Sequence, residues 1–469
     1  MYKMIRLFRH YFSFSSFFFT IGEGLLIYIS VFLAAYFFFD IDLSVASPLY
    51  PAIWLKILLI TLITQLSLYF NDLYSQKVTS DYLDLFTRII QSIGITSIAL
   101  AIIYFIFPST MIGRGIYFIS LIFLLFFLVS WRLLYTFAVR KRYFGEKAII
   151  LGIGDLAHDI INELEAKKDI GYYISSIISR NRDPETEKDN HTIPIHYGFD
   201  SICKIAKTED CKNVIVALDE KRGMLPTEEL LKCKVNGVNI IDGEMFYERI
   251  TGKLLVEKIH PSMLIFSDGF VKSNTARLVK RVIGFSLASM GIIILSPFLI
   301  LVAIAIKVDS RGPVFYVQER VGENENIFRM YKFRSMRADA EQISGPTWAT
   351  DDDPRITRVG KLIRKLRIDE LPQLLNVLKG DMSFVGPRPE REFFTMELAK
   401  KIPYYKERFT VKPGITGYAQ ILYPYGASEK DALEKLKYDL YYIKNMSLVL
   451  DFIVMVKTVK IILLGRGAR

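Results

Sequence analysis

The sequence predicts a membrane protein in three parts. These are an N-terminal four-helix transmembrane bundle (1–144), a Rossmann-like α/β middle domain (145–270) and a mainly α C-terminal domain (271–469). The last carries a re-entrant membrane helix at 282–306 and interfacial amphipathic helices. Three observations predict this. Four long apolar stretches open the chain, a strand–glycine turn–helix signature follows them, and a fifth apolar stretch has basic residues on both flanks. Composition agrees: 51% of residues are apolar, yet the net charge is +11. That pairing fits a membrane protein with a basic cytoplasmic side. No DNA- or RNA-binding motif is present, and no nucleic-acid partner is expected.

The four opening stretches lie at about 15–39, 53–70, 85–107 and 116–138. Each is long enough, or nearly so, to cross a bilayer as a helix. Lys3, Arg6 and Arg9 precede the first; Arg132, Arg140, Lys141 and Arg142 flank the end of the fourth. The loop from Asp40 to Ala52 has acids but no Lys or Arg, so both ends of the bundle should face the cytoplasm, with Arg114 a minor exception. Glu23 inside the first stretch requires a function, a partner or an interfacial position. The first stretch lacks a small-residue cleavage site, so no cleavable signal peptide is expected.

The middle domain begins at Lys147-Ala-Ile-Ile-Leu-Gly-Ile-Gly-Asp-Leu-Ala157, read as strand, tight turn and helix. Gly152-x-Gly154-x-x-Ala157 approximates a dinucleotide fingerprint. The second strand, Tyr173 to Ser179, runs into Arg180-Asn-Arg182 without the acid that would hold a ribose hydroxyl. A structural or regulatory role is therefore expected, and no NAD. A polar run, Asn181 to Asn190, reads as a loop. Asn213–Leu218 and Val238–Ile241 read as further strands. Cys203, Cys211 and Cys233 have no metal-type spacing and an odd count, and read as reduced cytosolic thiols.

The fifth stretch, Val282 to Ile306, has Arg277, Lys280 and Arg281 before it and Lys307 and Arg311 after it. Basic flanks on both sides predict that both ends stay cytoplasmic, with a kinked spanning helix as the alternative. Ser296-Pro297 predicts a break in its middle, with the Ser hydroxyl satisfying a freed backbone group. Phe393–Phe409 and Ser447–Leu464 mix basic and apolar residues and read as interfacial helices; ordinary surface helices are the alternative, and for the second a sixth span.

The densest chemistry lies at Arg364-Lys-Leu-Arg-Ile-Asp-Glu-Leu-Pro-Gln-Leu374 and Lys379-Gly-Asp-Met-Ser-Phe-Val-Gly-Pro-Arg-Pro389. Asp369 and Glu370 stand where a helix should begin, Pro372 suits its first turn, and Leu371, Leu374, Leu375 and Leu378 form a stripe for burial. Acids ringed by Arg and Lys can hold a metal ion and a phosphorylated substrate together; a capped, salt-bridged helix is the plain alternative. No His or Cys follows His260, which excludes a His-assisted Ser triad or a Cys nucleophile from this domain and leaves a carboxylate nucleophile. Asp351-Asp352-Asp353 reads as a solvated loop or a second metal site.

Those two segments, with Lys412-Pro-Gly-Ile-Thr-Gly-Tyr-Ala-Gln420, resemble the bacterial sugar transferases, also called monotopic phosphoglycosyl transferases, over roughly residues 275–465. The opening helices and middle domain resemble the large-form members. The resemblance implies transfer of a sugar 1-phosphate from a UDP-sugar to undecaprenyl phosphate, releasing UMP, at the bacterial inner membrane. The pathway implied is exopolysaccharide, capsule or O-antigen initiation. It implies Asp369 as nucleophile through a covalent phosphosugar intermediate and Glu370 as metal partner, with Asp369 and Glu370 holding Mg²⁺ (Mn²⁺ as an alternative). It implies Arg364 and Arg388 on substrate phosphates, Lys332 and Arg334 in the same role, and a re-entrant helix broken at Ser296-Pro297. Pro387 and Pro389 would stiffen Arg388, Asp381 would orient it or act structurally, and Gly414 and Thr416 would lie in a tight turn near the nucleotide. A homodimer is implied as well. Two other classes compete: a membrane-bound nucleotide-sugar dehydratase and a non-catalytic scaffold for polysaccharide assembly. The first needs a second glycine-rich motif and a Tyr-x-x-x-Lys pair, both absent after residue 275. Against the second stands the intact acid–arginine set.

Overall fold

Two short strands, β1 (Met4–Leu7) and β2 (His10–Ser13), precede four long helices in the computed structural model. The structure describes residues 4–7, 10–38, 52–74, 82–141, 143, 145–167, 171–181, 193–219, 223–258, 269–270, 273–337, 355–423, 426 and 428–464. The chain divides into two compact units, Met1–Leu7 with Tyr11–Phe246, and Phe8–His10 with Tyr247–Arg469.

In the first unit, α1 (Phe14–Phe38), α2 (Ile53–Phe70), α3 (Tyr82–Ile106) and α4 (Arg114–Arg140) follow the apolar stretches. All four are long and apolar enough to cross a membrane. Val31, Ala35, Ile57, Ile60, Leu100 and Ile116 form one buried layer, and Ile27, Leu68, Ile89, Leu124 and Leu128 a second. Their outward faces are also apolar, with Leu55, Phe105, Phe118, Ile122 and Phe126 exposed. Helices apolar on all sides require a lipid solvent, and the chain is a membrane protein. Interior hydroxyls bond back to their own helices, as Thr61 to the Ile57 carbonyl at 2.9 Å and Thr64 to the Ile60 carbonyl at 2.8 Å. Glu23 has its partner here: Arg132 Nη2 lies 2.6 Å from Glu23 Oε1, and both are fully buried. Arg132 also donates to the Leu73 carbonyl at 2.7 Å. It is therefore not a flanking charge that sets topology; burying Glu23 without a cation would be prohibitive.

The α/β part comprises β3 (Glu146–Leu151), α5 (Asp155–Ala166), β4 (Tyr172–Ser179), β5 (Ile195–Tyr197), α6 (Ile202–Thr208), β6 (Asn213–Val216), α7 (Thr227–Val235) and β7 (Asn239–Asp242). The sheet is parallel throughout, in the order β5-β4-β3-β6-β7. Its strands read as apolar runs because both faces are covered. The glycines of the fingerprint have packing reasons. Gly152 has φ +119°, and a Cβ there would lie 2.4 Å from the Ala217 carbonyl oxygen; a Cβ on Gly154 would overlap the Asp219 carboxylate. The cysteine reading is corrected: Cys203 and Cys233 form a disulfide, because α6 and α7 lie side by side with these Cα atoms 5.2 Å apart. Cys211 is free and buried.

Helix α8 (Gly243–Thr251) carries the chain into the second unit, which starts at Tyr247, upstream of the expected boundary at 271. Leu254 and Val256 join that unit's core, and Glu248 Oε2 accepts from Lys444 Nζ at 2.7 Å. Next comes α9 (Asn274–Asp309), a single helix of 36 residues. The break expected at Ser296–Pro297 does not interrupt it. Pro297 cannot donate to the Ile293 carbonyl, and Ser296 Oγ donates to that oxygen instead, at 2.8 Å. The remaining elements are the hairpin β8 (Phe315–Val321) and β9 (Ile327–Phe333), α10 (Arg358–Lys365), α11 (Gln373–Lys379), β10 (Ser383–Val385), α12 (Glu392–Lys401), β11 (Gly414–Thr416), α13 (Tyr418–Leu422), α14 (Glu429–Asn445) and α15 (Leu448–Leu463).

Both halves of α9 are fastened to this unit. Arg281 donates to the carbonyls of Val377 and Leu378 at the end of α11, while Asp309 accepts from Val359 N at 3.0 Å at the start of α10. Two of the expected interfacial residues are core instead: Tyr405 and Phe409 pack with Leu440, Tyr441 and Val454. Asp451 of α15 is likewise buried, accepting from Tyr442 OH at 2.6 Å and facing Lys280 at 2.9 Å. Of the expected leucine stripe on α11, Leu374 is buried, but Asn376 and Val377 take the innermost positions and Leu375 is exposed.

Candidate active site

The two acids are presented by an irregular connection. Thr357 caps α10, accepting from Gly360 N at 2.9 Å, and Arg364 stands in the last turn of that helix. Arg367 then adopts a left-handed backbone, φ +58°, unusual for a residue with a Cβ. That turn reverses the chain into a 3₁₀ turn at Ile368–Glu370, after which Pro372 stands at the N-cap of α11 and Gly380, φ +97°, follows its end. Asp369 and Glu370 therefore sit between two helices rather than within one.

Glu370 is clamped through a single oxygen. Its Oε1 lies 3.2 Å from Lys332 Nζ, 3.3 Å from Arg388 Nη2 and 3.8 Å from Arg367 Nη1. Burial alone would push this carboxyl up, but the three cations outweigh burial and hold it well below the usual carboxylate range. Asp369 is treated differently. Its Oδ1 is buried and accepts no hydrogen bond. Burial, and then the charge of Glu370, push it up to about 6 against Lys332, Arg367 and Arg364. One acid is held as a fixed charge and its neighbour is left free.

A buried amide missed in the sequence brings Lys332 here. Asn376 Oδ1 accepts from Tyr331 N at 3.0 Å, and its Nδ2 donates to the Arg329 carbonyl at 2.7 Å, fixing α11 to β9 beside Lys332. Asn376 Nδ2 also donates to Asp381 Oδ2 at 3.3 Å. Asp381 thus supports Asn376, and no contact ties it to Arg388. Arg334, expected on phosphate, donates to the carbonyls of Ser310 (2.7 Å) and Arg311 (3.1 Å) and to Ser310 Oγ (2.8 Å). It anchors the end of α9, since those carbonyls follow the helix and need donors.

The segment expected as a tight turn is a strand. β11 pairs in parallel with β10, Ser383 opposite Gly414 and Val385 opposite Thr416. Gly414 is required by close approach: a Cβ there would come within 2.1 Å of Gly386 N. Gly414 N donates to the Pro387 carbonyl at 3.0 Å, and the Thr416 carbonyl accepts from Gly386 N at 2.9 Å. Thr416 Oγ1 pairs with Thr458 Oγ1 at 2.7 Å, so its hydroxyl serves packing. These contacts lead directly into Pro387-Arg388-Pro389.

The acids open into a cavity of about 800 Å³. Lys332, Arg364, Arg367 and Arg388 line it with them, as do Arg320, Arg334, Arg391 and Lys435. Such a cationic enclosure suits a diphosphate. Among the described residues no three His, Cys, Asp or Glu side chains cluster as a metal site. Mg²⁺, however, is usually bound through one or two carboxylates plus substrate phosphates, and the unsatisfied buried Oδ1 of Asp369 beside Glu370 fits that arrangement. Asp351–Asp353 lie outside the described residues.

Comparison with known proteins places the chain among its relatives. A family profile described as bacterial sugar transferase matches residues 275–465, and one described as CoA-binding domain matches residues 69–241. The chain is 43% identical over 240 residues to UDP-N-acetylgalactosamine-undecaprenyl-phosphate N-acetylgalactosaminephosphotransferase of Aeromonas hydrophila, covering 51% of this chain and 56% of that protein. It is 41% identical over 191 residues to UDP-glucose:undecaprenyl-phosphate glucose-1-phosphate transferase of Escherichia coli, covering 40% of each. The match thus spans about half the length of these two relatives or less. An uncharacterized sugar transferase of Haemophilus influenzae is 30% identical over 349 residues, covering 71% of this chain and 72% of that protein. That match runs over more than two thirds of both proteins, and the family profile covers the unit that holds Asp369 and Glu370: the chain belongs to the bacterial sugar transferase family.

Proposed function

We propose that this protein transfers a sugar 1-phosphate from a UDP-sugar to undecaprenyl phosphate, starting a surface polysaccharide on its lipid carrier. The observation that carries this is the asymmetry of the acid pair: Glu370 is held by three cations while Asp369 keeps a buried oxygen without a donor. An Asp369 oxygen attacks the sugar-bearing phosphorus, and the bond from that phosphorus to the bridging oxygen breaks. UMP leaves with that oxygen, and the sugar phosphate remains on Asp369. A phosphate oxygen of the lipid then attacks the same phosphorus and releases the Asp369 carboxylate. Arg388 and Arg364 bind the phosphate oxygens, in the planar geometry that arginine offers. Lys332 and Arg367 hold Glu370 ionised and oriented. Asp369 and Glu370 would hold Mg²⁺, whose positive charge would offset two phosphates and a carboxylate nucleophile.

The relatives named for undecaprenyl phosphate and UDP-sugars support this reading. The fastening of both ends of α9 to one unit supports its finer topology, a re-entrant helix with the site on the cytoplasmic face of the inner membrane. So do the basic flanks of that helix. On this reading α1 to α4 form a transmembrane bundle, and the whole protein acts as a homodimer. The test is a panel of UDP-sugars with undecaprenyl phosphate and Mg²⁺ in detergent, following UMP. A short incubation with the donor alone should leave a phosphosugar on the Asp369 peptide, seen by mass spectrometry. UMP release that persists in Asp369→Asn, with deamidation excluded, would overturn the assignment.

A further inference from the structure

The segment Pro387-Arg388-Pro389 contains only one backbone N–H, because proline has none. Its main chain must be held through carbonyls, and each of four successive carbonyls has its own donor. Pro387 O accepts from Gly414 N at 3.0 Å and Glu390 O from Val321 N at 3.0 Å. The two between are taken by side chains: Arg388 O by Arg408 Nη2 at 3.2 Å, and Pro389 O by Arg320 Nη1 at 3.3 Å. Arg388 is thereby clamped within about one residue of its guanidinium contact to Glu370.

Arg408 is the less ordinary of the two donors. It is buried, and so is its carboxylate partner: Arg408 Nη2 lies 3.0 Å from Asp439 Oδ2 on α14, while Nη1 donates to Tyr405 OH at 2.6 Å. A buried ion pair of this kind is weak evidence for stability, since desolvating both charges offsets much of their attraction. Apolar packing in this wall, between the core and the cavity, would avoid that cost. What an apolar residue could not do is reach three acceptors at once in a fixed plane.

We infer that Arg408 and Asp439 are positioning residues for the transfer reaction, which hold the Arg388 main chain so that its guanidinium meets Glu370 and the donor's phosphates. This rests on the transferase reading of the site. Neither residue belongs to the acid pair or to the set assigned to phosphate, although both stand in the wall of the cavity that the acids open into. Asp439 sets the plane of Arg408, Tyr405 closes its other arm, and Arg408 transmits the geometry through a carbonyl. The expected effect therefore falls on turnover, through Arg388, more than on binding. A displacement of about 1 Å at such a residue can cost on the order of 100-fold in rate.

The test is a double-mutant cycle on the full-length enzyme in detergent, measuring kcat and the donor KM by UMP release. Arg408→Lys keeps the charge and loses the fork. Alone it should lower kcat by about 10- to 100-fold, with KM changed less than about threefold. In an Arg388→Lys background, where the aim of the guanidinium is already lost, Arg408→Lys should lower kcat by less than about threefold more. Asp439→Asn, which retains an acceptor, is run through the same cycle and should give the same non-additivity; it decides the matter if Arg408→Lys does not fold. Losses that multiply in both cycles, or a loss confined to KM or to melting temperature, would overturn the inference. Absence of UMP release from the unmodified enzyme would count instead against the transferase reading.

Discussion

At the scale of the residue, neighbouring carboxylates of like charge have opposite environments, and isosteric substitutions should separate them. Asp369 is raised in the folded state to about 6 by burial and by Glu370. The native state therefore binds more protons than the unfolded state between about pH 4 and 6, so stability falls as pH rises through that window and the loss is complete above it. Asp369→Asn removes this unfavourable charge. At pH 7 it should raise the melting temperature, by about 2–4 °C for each kcal/mol relieved, while turnover falls at least about 10³-fold. Glu370→Gln should do the reverse to stability. Lys332 would remain buried without its counter-charge, at a cost of about 3–5 kcal/mol, and activity would fall too. Calorimetry of both variants checks the signs; equal shifts would mean that the two acids share one role. The nucleophile must also be ionised to attack. In the unmodified enzyme kcat/KM should fall on the acid side as Asp369 takes up a proton.

At the scale of the element, the site depends on how α11 meets β9 and how α9 is fastened. Asn376→Ala would leave Tyr331 N and the Arg329 carbonyl unpaired, costing about 1–3 kcal/mol for each orphaned group, and would free Lys332 from Glu370. Reduced stability together with reduced turnover is expected from thermal melts and UMP release. Unchanged stability would mean that water replaces the amide. α9 is about 54 Å long at the ordinary helical rise, well beyond a bilayer core of about 30 Å. Its two ends are nevertheless held by α11 and α10 of one unit. Single cysteines placed by Ser273→Cys and Arg311→Cys, in a background without Cys203, Cys211 and Cys233, should both resist an impermeant thiol reagent in intact spheroplasts. Both should react after lysis. Labelling of the second position from outside would mean a helix that crosses the bilayer. In that case the acids would lie apart from the cytosolic nucleotide sugar.

At the scale of the whole molecule, every residue assigned to phosphoryl transfer lies in the second unit. A shortened chain should therefore keep its chemistry if cut in the right place. The cut belongs near Gly243, because Leu254 and Val256 complete the core and Glu248 partners buried Lys444. A chain starting at Gly243 should release UMP in detergent, whereas one starting at Ser273 should be less stable by several kcal/mol, having lost buried apolar contacts and the partner of a buried lysine. Comparative melting and UMP release of the two check this; equal stability would move the boundary back toward 271. The order of the motifs was legible from residues alone. So were the apolar lengths of α1 to α4, the acid–arginine set and the parallel strand pattern, because each depends on local spacing and on chemistry carried by consecutive residues. Folding alone decided the rest. Arg132 is a buried partner and not a flank, Arg334 donates to the carbonyls that follow α9, and Gly414 lies in a strand and not a turn. Cys203 meets Cys233, and Asn376 ties two elements together. In each case the deciding contact joins residues far apart in the chain. A sequence names which groups are present, but which acceptor a given donor meets is set only when the core closes.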